Sequence, residues 1–197
     1  MLHLLQKTLL VAVFVHHSMH AYDFLLEGKA AYFLPTGDLF KKIYHNGGGI
    51  YGSEFTARIW RQLYGFASAD FFSKQGFSPI VLTPTTVHMQ QIGIGLKYLH
   101  DCSWGDLYLG LGALPTHIKT IDCSPYVVRK HTKWGCGGVL KAGIYVNLCE
   151  YLFLDLFLDY SFATISFCSR KTVPTIPHDA HVSGCWFGAG FGFRFSN

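Results

Sequence analysis

The alternation of apolar and polar side chains with a period of two constrains this 197-residue chain more than any other feature of its sequence. Such alternation is typical of β-strands whose two faces meet different surroundings. Eight segments show it, near 22–34, 49–60, 63–74, 85–99, 106–121, 135–148, 151–167 and 181–195. A strand needs about 9–11 residues to cross a bilayer at a tilt, and each segment is that long or longer. The pattern predicts an all-β chain whose strands are long enough to span a membrane.

The connections between the eight segments alternate between short and long. The short ones are Arg61-Gln62, 101–105 and Cys149-Glu150, and the long ones are 35–48, 75–84, 122–134 and 169–180. Bacterial outer-membrane barrels place short turns at one end and longer loops at the other. A soluble β-sandwich has no reason to sort its loops in this way. The spacing therefore predicts an eight-stranded antiparallel up-and-down transmembrane β-barrel.

The two faces of the later segments differ in kind. One side of the seventh segment is wholly apolar: Leu152, Leu154, Leu156, Leu158, Tyr160 and Phe162. Asp155, Asp159 and Ser161 lie on its other side, and in the eighth segment phenylalanines alternate with glycines and Arg194. Eight strands leave an interior only wide enough for side chains. We therefore expect the apolar face to meet lipid and the charged face to fill a narrow lumen.

The charged face, followed through all the segments, collects five acids and five bases. They are Glu27, Glu54, Asp70, Asp155, Asp159, Lys29, Arg58, Lys97, Lys141 and Arg194. Unpaired charges in a poorly solvated interior are costly, whereas paired and hydrogen-bonded charges are tolerated. We predict a lumen closed by an ion-pair network, and a loss of stability when Asp155 or Asp159 is neutralised. The alternative is a set of ordinary solvated charges on one side of a sheet.

The first 21 residues are organised like a signal peptide. Lys7 is their only charged side chain, 9–15 is a continuous apolar run, and a short polar stretch ends at Ala21. We expect cleavage after Ala21, with residues 22–197 forming the barrel. An amphipathic or buried first helix is the alternative.

Composition narrows the range of partners. Half of the residues are apolar, yet beyond the first 21 none of the apolar runs reaches the ~20 residues of a membrane-spanning helix. The formal charge is only +4, and no run of sequence interleaves basic and aromatic residues. We expect membrane lipid as a partner and do not expect nucleic acid.

Neither a cofactor nor a reaction is predicted. Glycines at two-residue spacing lie within strands and not ahead of a helix, so they do not indicate a phosphate site. His178 and His181 share the last long loop but lack further ligands at convincing spacing for a metal. A few small outer-membrane barrels are lipid-modifying enzymes with an active site at the barrel rim, and His88, His117, His131 and Ser124 are the residues that could form such a site here. Nothing in their spacing selects that set, so we expect a protein that is not an enzyme.

Six cysteines in a chain expected to be secreted favour disulfides. Four of them flank the third and fourth long loops and point outward by alternation: Cys123, Cys136, Cys168 and Cys185. Cross-strand bridges near the loop end are one interpretation. Bridges between molecules and reduced, buried thiols are the alternatives, and the sequence does not choose among the pairings.

Aromatic side chains gather where the strands are expected to meet the two membrane interfaces. Near the short turns lie Trp60, Tyr64, Tyr98, Trp104, Tyr108, Tyr151 and Phe195, and near the long loops Tyr32, Tyr51, Phe71, Tyr126 and Trp134. In the first long loop, 38–44 has the spacing of a short helix that would lie on the membrane or cap the barrel mouth. A plain loop is the alternative there.

The closing segment Gly188-Ala189-Gly190-Phe191-Gly192-Phe193-Arg194-Phe195 resembles the terminal strand of outer-membrane β-barrel proteins, although Ser196 and Asn197 follow its last Phe. The stretch from Tyr32-Phe33-Leu34-Pro35-Thr36-Gly37 to Gly47-Gly48-Gly49 is similar to the first hairpin of small outer-membrane barrels. Over nearly its whole length the chain resembles the eight-stranded OmpA, OmpX and OmpW type.

The resemblance implies that Phe191, Phe193 and Phe195 are read by the barrel-assembly machinery. It also implies a monomer in the outer membrane of a Gram-negative bacterium, with loops outward and short turns periplasmic. Members of this group are envelope scaffolds, surface adhesion or defence proteins, or narrow channels.

We therefore expect a structural or surface-interaction role, with surface or envelope proteins as further partners. A narrow channel or carrier for small apolar molecules, a rim lipid-modifying enzyme and a soluble ligand-binding barrel are the alternatives.

Overall fold

The computed structural model describes residues 23–37, 40–41, 44, 47–77, 84–123, 128–166 and 179–196. The expected signal peptide, 1–21, lies outside the described residues, as do Ser124, Tyr126, Cys168 and His178. Within the described ranges, no helix is long and apolar enough to cross a membrane.

Ten antiparallel strands account for most of the described chain. They are β1 (Asp23–Pro35), β2 (Gly48–Trp60), β3 (Leu63–Phe77), β4 (Pro84–Cys102), β5 (Gly105–Ala113), β6 (Thr116–Cys123), β7 (Val128–Asn147), β8 (Leu152–Ser166), β9 (Asp179–His181) and β10 (Gly184–Ser196). β5 and β6 both pair with β4 and β7 and together form one barrel strand, and β9 and β10 both pair with β8 and together form the last one. The remaining strands pair with their neighbours along the chain, and β1 pairs with β10. The eight-stranded antiparallel ring predicted from the sequence is therefore confirmed, with two of its strands interrupted.

The fifth barrel strand is interrupted at Leu114 and Pro115, between β5 and β6. Proline has no N–H to donate to a ladder. Its carbonyl still accepts a hydrogen bond from Ile92 at 3.0 Å, and Leu114 donates to Gly137 at 2.9 Å. The register against β4 and β7 is the same on both sides of the break. The interruption thus costs one donor and does not shift the strand.

The last barrel strand is interrupted in the same way between β9 and β10. Val182 donates to Ala163 at 2.8 Å, so the ladder with β8 continues across the break. The register of β8 with β9 matches its register with β10.

The barrel wall is tallest on one side. β4 has 19 residues and β7 has 20, and pairing between β6 and β7 continues as far as Cys123 and Val128. The third long loop expected at 122–134 is therefore wrong in extent, since only 124–127 separate the two strands. Side chains that the sequence assigned to a loop instead lie on paired strands above the rest of the barrel.

Side chains alternate strictly between the two faces of the wall. On β8, Leu156 and Leu158 are 47 % and 59 % exposed, whereas Asp155 and Asp159 are 0 % and 1 % exposed. The same alternation holds on β10, where Phe191, Phe193 and Phe195 face outward. The core of the molecule is the inside of the ring.

Most of the expected interface aromatics do lie on the outer surface. Exposed rings near the short turns are Trp60, Tyr98, Trp104, Tyr151 and Phe195, and those near the loops are Tyr32, Tyr51, Phe71 and Trp134. Tyr64 and Tyr108 are the exceptions, because both are buried inside the ring. Tyr64 and Tyr108 fall on the lumen side of β3 and β5, and in the interior each hydroxyl finds a carboxylate.

Candidate functional site

The barrel interior holds the densest group of polar chemistry in the described chain, and Glu54 is at its centre. Its carboxylate accepts a hydrogen bond from Lys97 and lies 3.3 Å from the Lys29 ammonium and 3.1 Å from that of Lys141. β1, β2, β4 and β7 each supply one of these four side chains, so the contacts cross the lumen. All four side chains are between 0 and 4 % exposed.

Three more carboxylates complete this central layer, one from β1 and two from β8. Lys29 lies 3.4 Å from both Glu27 and Asp155. Lys141 donates to Asp159 at 2.9 Å, and Tyr108 donates to Asp155 at 3.0 Å. Most of the predicted lumen residues are thus brought into one connected group in which each lysine meets at least two carboxylates.

Aromatic rings surround the three lysines. The Lys97 ammonium lies 4.2 Å from the centre of the Tyr108 ring, and that of Lys29 lies 4.4 Å from the Phe157 ring. Tyr108 and Tyr145 stack with their centres 4.6 Å apart, and Lys97 donates to the Tyr145 hydroxyl at 2.7 Å. Ring faces attract cations most when water is excluded, so these rings stabilise the buried ammonium groups.

The two arginines of the predicted set lie apart from this layer, near the short turns. Arg58 donates to Asp23 at 2.6 Å and to Tyr64 at 2.9 Å. Arg194 donates to Asp106 from the opposite wall. The expected balance of five acids and five bases is therefore wrong, because Asp23 and Asp106 belong to the interior as well. The central layer connects four carboxyl groups with three lysines.

Asp70 is the member of the predicted set that the interior does not pair. It is 5 % exposed, and within the described residues none of the lysines or arginines lies within 4.0 Å of it. Its Oδ2 atom has no hydrogen-bond partner. The hydroxyl of Ser68, two residues earlier on the same face of β3, has none either. A buried carboxylate without a cation within ion-pair distance is costly, so Asp70 contributes less to stability than the paired carboxylates do.

An apolar layer lies between the charged layer and the loops. Phe33 packs edge-on against Phe72 at 5.3 Å and Trp186 at 6.2 Å between ring centres. Phe40 and Tyr44, from the first long loop, pack above them and are 7 % and 4 % exposed. Phe40, Lys41 and Tyr44 have helical geometry, and these two rings cap the barrel mouth.

Some glycines of the wall are required by close approach. A Cβ atom on Gly143 would lie 2.5 Å from the Tyr108 hydroxyl and 2.7 Å from the Leu156 carbonyl oxygen. The glycines therefore make room for the large lumen side chains opposite them. Apart from Gly37 and Gly47 at the two ends of the first long loop, the described glycines lie within strands.

The histidines considered for a rim active site are not assembled into one. The His88 ring lies 3.0 Å from the Ser73 hydroxyl, and His117 packs against Trp134 with tilted rings whose centres are 4.7 Å apart. His131 is exposed near the beginning of β7. In the part of the chain that is described, no three metal-ligating side chains converge.

The cysteines give no described disulfide. Cys102, Cys136, Cys149 and Cys185 carry free thiols. Cys123 lies opposite Val128, eight residues along β7 from Cys136, a separation of about 26 Å at the usual rise of a strand. A bridge between Cys123 and Cys136 does not fit that geometry. Disulfides involving these cysteines or Cys168 otherwise remain a prediction.

Sequence reasoning missed the apolar upper layer and the two short-turn ion pairs. Asp23 and Asp106 stand at the first positions of their strands, where alternation gives little signal. Each lies two residues before a buried side chain, Leu25 or Tyr108, and is therefore on the same face of its strand. That spacing is the signal that would have identified them.

No family model matches the chain, and no curated protein does either. Solved structures do match. OprG from Pseudomonas aeruginosa superposes with a TM-score of 0.59 at 19 % identity, covering 88 % of this chain and 95 % of that protein. Ail, the attachment invasion locus protein of Yersinia pestis, in complex with the heparin analogue sucrose octasulfate, gives 0.56 at 16 %, covering 90 % and 100 %. Outer membrane protein W of E. coli gives 0.55 at 16 %, covering 90 % and 100 %. At these identities the likeness establishes the fold, that of the small outer-membrane β-barrels, as the sequence predicted.

Proposed function

We propose that this chain is an integral protein of a Gram-negative outer membrane, a sealed barrel with a structural or surface-interaction role. The observation that carries the proposal is the sorting of side chains by face. Leu109 and Leu158 on the outside are 68 % and 59 % exposed, while Lys97 and Asp155 on the inside have no exposure. In water, the apolar side chains would be favoured inside the barrel and the charged ones outside. In a membrane, the apolar side chains contact lipid and the charged ones pair with one another inside.

A filled interior supports the structural role over a channel. The arginine pairs near the turns, the lysine–carboxylate layer and the apolar layer around Phe33 succeed one another along the lumen. A permeating molecule would have to displace buried ion pairs and three packed rings. For the same reason we infer that the barrel is not an enzyme, since the lysines and most carboxylates of its described interior are paired with one another.

The surface-interaction role is supported by charge at the loop end. The connections and strand ends there carry nine basic residues, Lys41, Lys42, Lys74, Lys119, Arg129, Lys130, Lys133, Arg170 and Lys171, against Asp38, Asp122 and Asp179. The chain's positive charge is thus concentrated at one end. Loops facing outward and turns facing the periplasm would present this end to anionic partners outside the cell.

Electrophoretic mobility of the isolated membrane fraction, with and without boiling, tests the proposal. A closed barrel resists unfolding in cold detergent, so the unboiled protein should migrate faster than the boiled protein. Recovery in the aqueous fraction, with no change of mobility, would show a soluble barrel instead. Conductance steps in planar bilayers would favour the channel, and altered lipid masses on expression would favour a rim enzyme.

A further inference from the structure

One part of the outer wall carries cations directly above its aromatic boundary. Gln90, His117 and Trp134 lie side by side on β4, β6 and β7, and Trp134 is 64 % exposed. Below this row the outward side chains of the same strands are apolar, with Ile92 and Ile94 47 % and 61 % exposed. The row therefore marks the outer limit of the lipid-facing surface on this side.

The rows above Trp134 carry the lysines. His88, Lys119 and Thr132 form the first outward row, and Thr86, Ile121 and Lys130 form the second. The two lysines are separated in sequence, and only the strand register brings them onto one face. The described outward side chains of these two rows include no carboxylate.

The first of these rows lies at the height of a lipid headgroup layer, and the second lies just above it. Lys119 is two residues above the ring row and Lys130 is four, about 7 and 13 Å along the strand. Strands of such barrels tilt by about 40°, which reduces these heights to about 5 and 10 Å. The headgroup layer is about 5–8 Å thick on each side of the hydrocarbon. Both ammonium groups, on flexible stems, reach it from the side.

The opposite wall lacks this feature. At the loop end, the described outward side chains of β1, β2, β8, β9 and β10 include no lysine or arginine: Tyr32, Leu34, Gly49, Tyr51, Phe162, Thr164, His181 and Cys185. The cations are therefore not a general consequence of lying at an interface.

We propose that Lys119 and Lys130, with His88 and His117 beside them, bind phosphate groups of lipids in the surrounding outer leaflet. The inference deepens the proposed function and depends on it. Lysine binds phosphate as a compact point charge, and Trp134 below fixes the depth of the site. Lys133 lies on the same strand but faces inward beside Ile118, so it is outside the site.

Lipid selection by the folded protein tests the proposal. The protein would be reconstituted in phosphatidylcholine vesicles containing equal amounts of diphosphorylated and dephosphorylated lipid A, and the retained lipids counted by mass spectrometry after extraction. The wild-type protein should retain the phosphorylated form preferentially. K119Q/K130Q should reduce that preference on the order of tenfold. K133Q removes one positive charge from the same strand as K130Q does, and it should not reduce the preference.

Equal losses in K130Q and K133Q, or no preference in the wild type, would overturn the proposal. Binding of a soluble sulfated polysaccharide that needs Lys133 and not Lys119 or Lys130 would also overturn it, by assigning the cations to a partner in solution. Each variant is first checked for heat-modifiable mobility. A wild type without that shift fails the proposed function, whereas a folded barrel without lipid preference fails only this inference.

Discussion

Lys97 donates a hydrogen bond to Glu54 across the lumen, and both side chains are fully buried. The same carboxylate lies within 3.3 Å of Lys29 and within 3.1 Å of Lys141. Glu54 is therefore the common counter-charge of three lysines on three different strands. Removal of one side chain would leave several others without compensation.

Glu54→Gln is expected to lower the free energy of unfolding by about 3–5 kcal/mol, the usual effect of removing one partner of a buried ion pair. Urea unfolding in detergent micelles, followed by the loss of the fast-migrating band, measures it. Glu150→Gln, in an exposed turn, is the control and should change the free energy of unfolding by less than about 0.5 kcal/mol. A loss below about 1 kcal/mol for Glu54→Gln would mean that the lysines find other partners or water.

Asp70→Asn and Asp159→Asn are matched substitutions that should change the free energy of unfolding differently. Asp159 accepts from Lys141 at 2.9 Å, so its neutralisation should destabilise the barrel by about 3 kcal/mol. Asp70 is equally buried but has no described ion pair, so its neutralisation should cost less than about 1 kcal/mol or stabilise the barrel. The same unfolding titration compares them. Equal losses in the two variants would show that Asp70 has a counter-charge.

Gly143→Ala should destabilise the barrel by about 1–3 kcal/mol, because the added methyl group overlaps the Tyr108 hydroxyl and the Leu156 carbonyl. Gly28→Ala on the outer face is the control, since a Cβ atom there meets nothing within 4 Å. The temperature at which the fast-migrating form disappears should fall for Gly143→Ala alone. A fall of similar size in both variants would assign the effect to the strand backbone and not to crowding in the lumen.

The first short turn contains a strained residue. Arg61 has a φ of 48°, a left-handed conformation that costs a side chain about 1–2 kcal/mol and costs glycine nothing. Arg61→Gly should therefore stabilise the barrel by relieving this strain. The gain is reduced by loss of the contact between the guanidinium and the Trp60 ring, at 4.9 Å. Gln62→Gly, at the neighbouring turn position without a positive φ, should not stabilise it. Thermal unfolding of the two variants decides, and a lower stability for Arg61→Gly would mean that the ring contact outweighs the strain.

Alternation along the strands was enough to predict the ring and its facing, because one shift of register would have moved every charge of β8 into lipid. It also placed Glu54 and Lys97 on the same side of the wall without any knowledge of their contact. Pro115 was included within one predicted strand, and the structure retains the register through it.

Features that depend on distance along the lumen were not predictable in the same way. Parity tells which face a side chain occupies but not the height at which it meets another strand, so Arg58 and Arg194 were assigned to the central network. The extent of the third loop was wrong because Lys130 and Lys133 read as polar loop residues. They lie on a strand that continues beyond the aromatic row at Trp134, where alternation of polarity no longer marks a strand.

The pairing of β1 with β10 runs without interruption from Asp23 and Ser196 to Pro35 and Gly184. β1 is synthesised first and β10 last, so β1 has both of its neighbouring strands only when β10 is in place. A chain shortened by its final strand would leave β1 and β8 each without one neighbour and would lose the whole enclosure, not merely one-eighth of it.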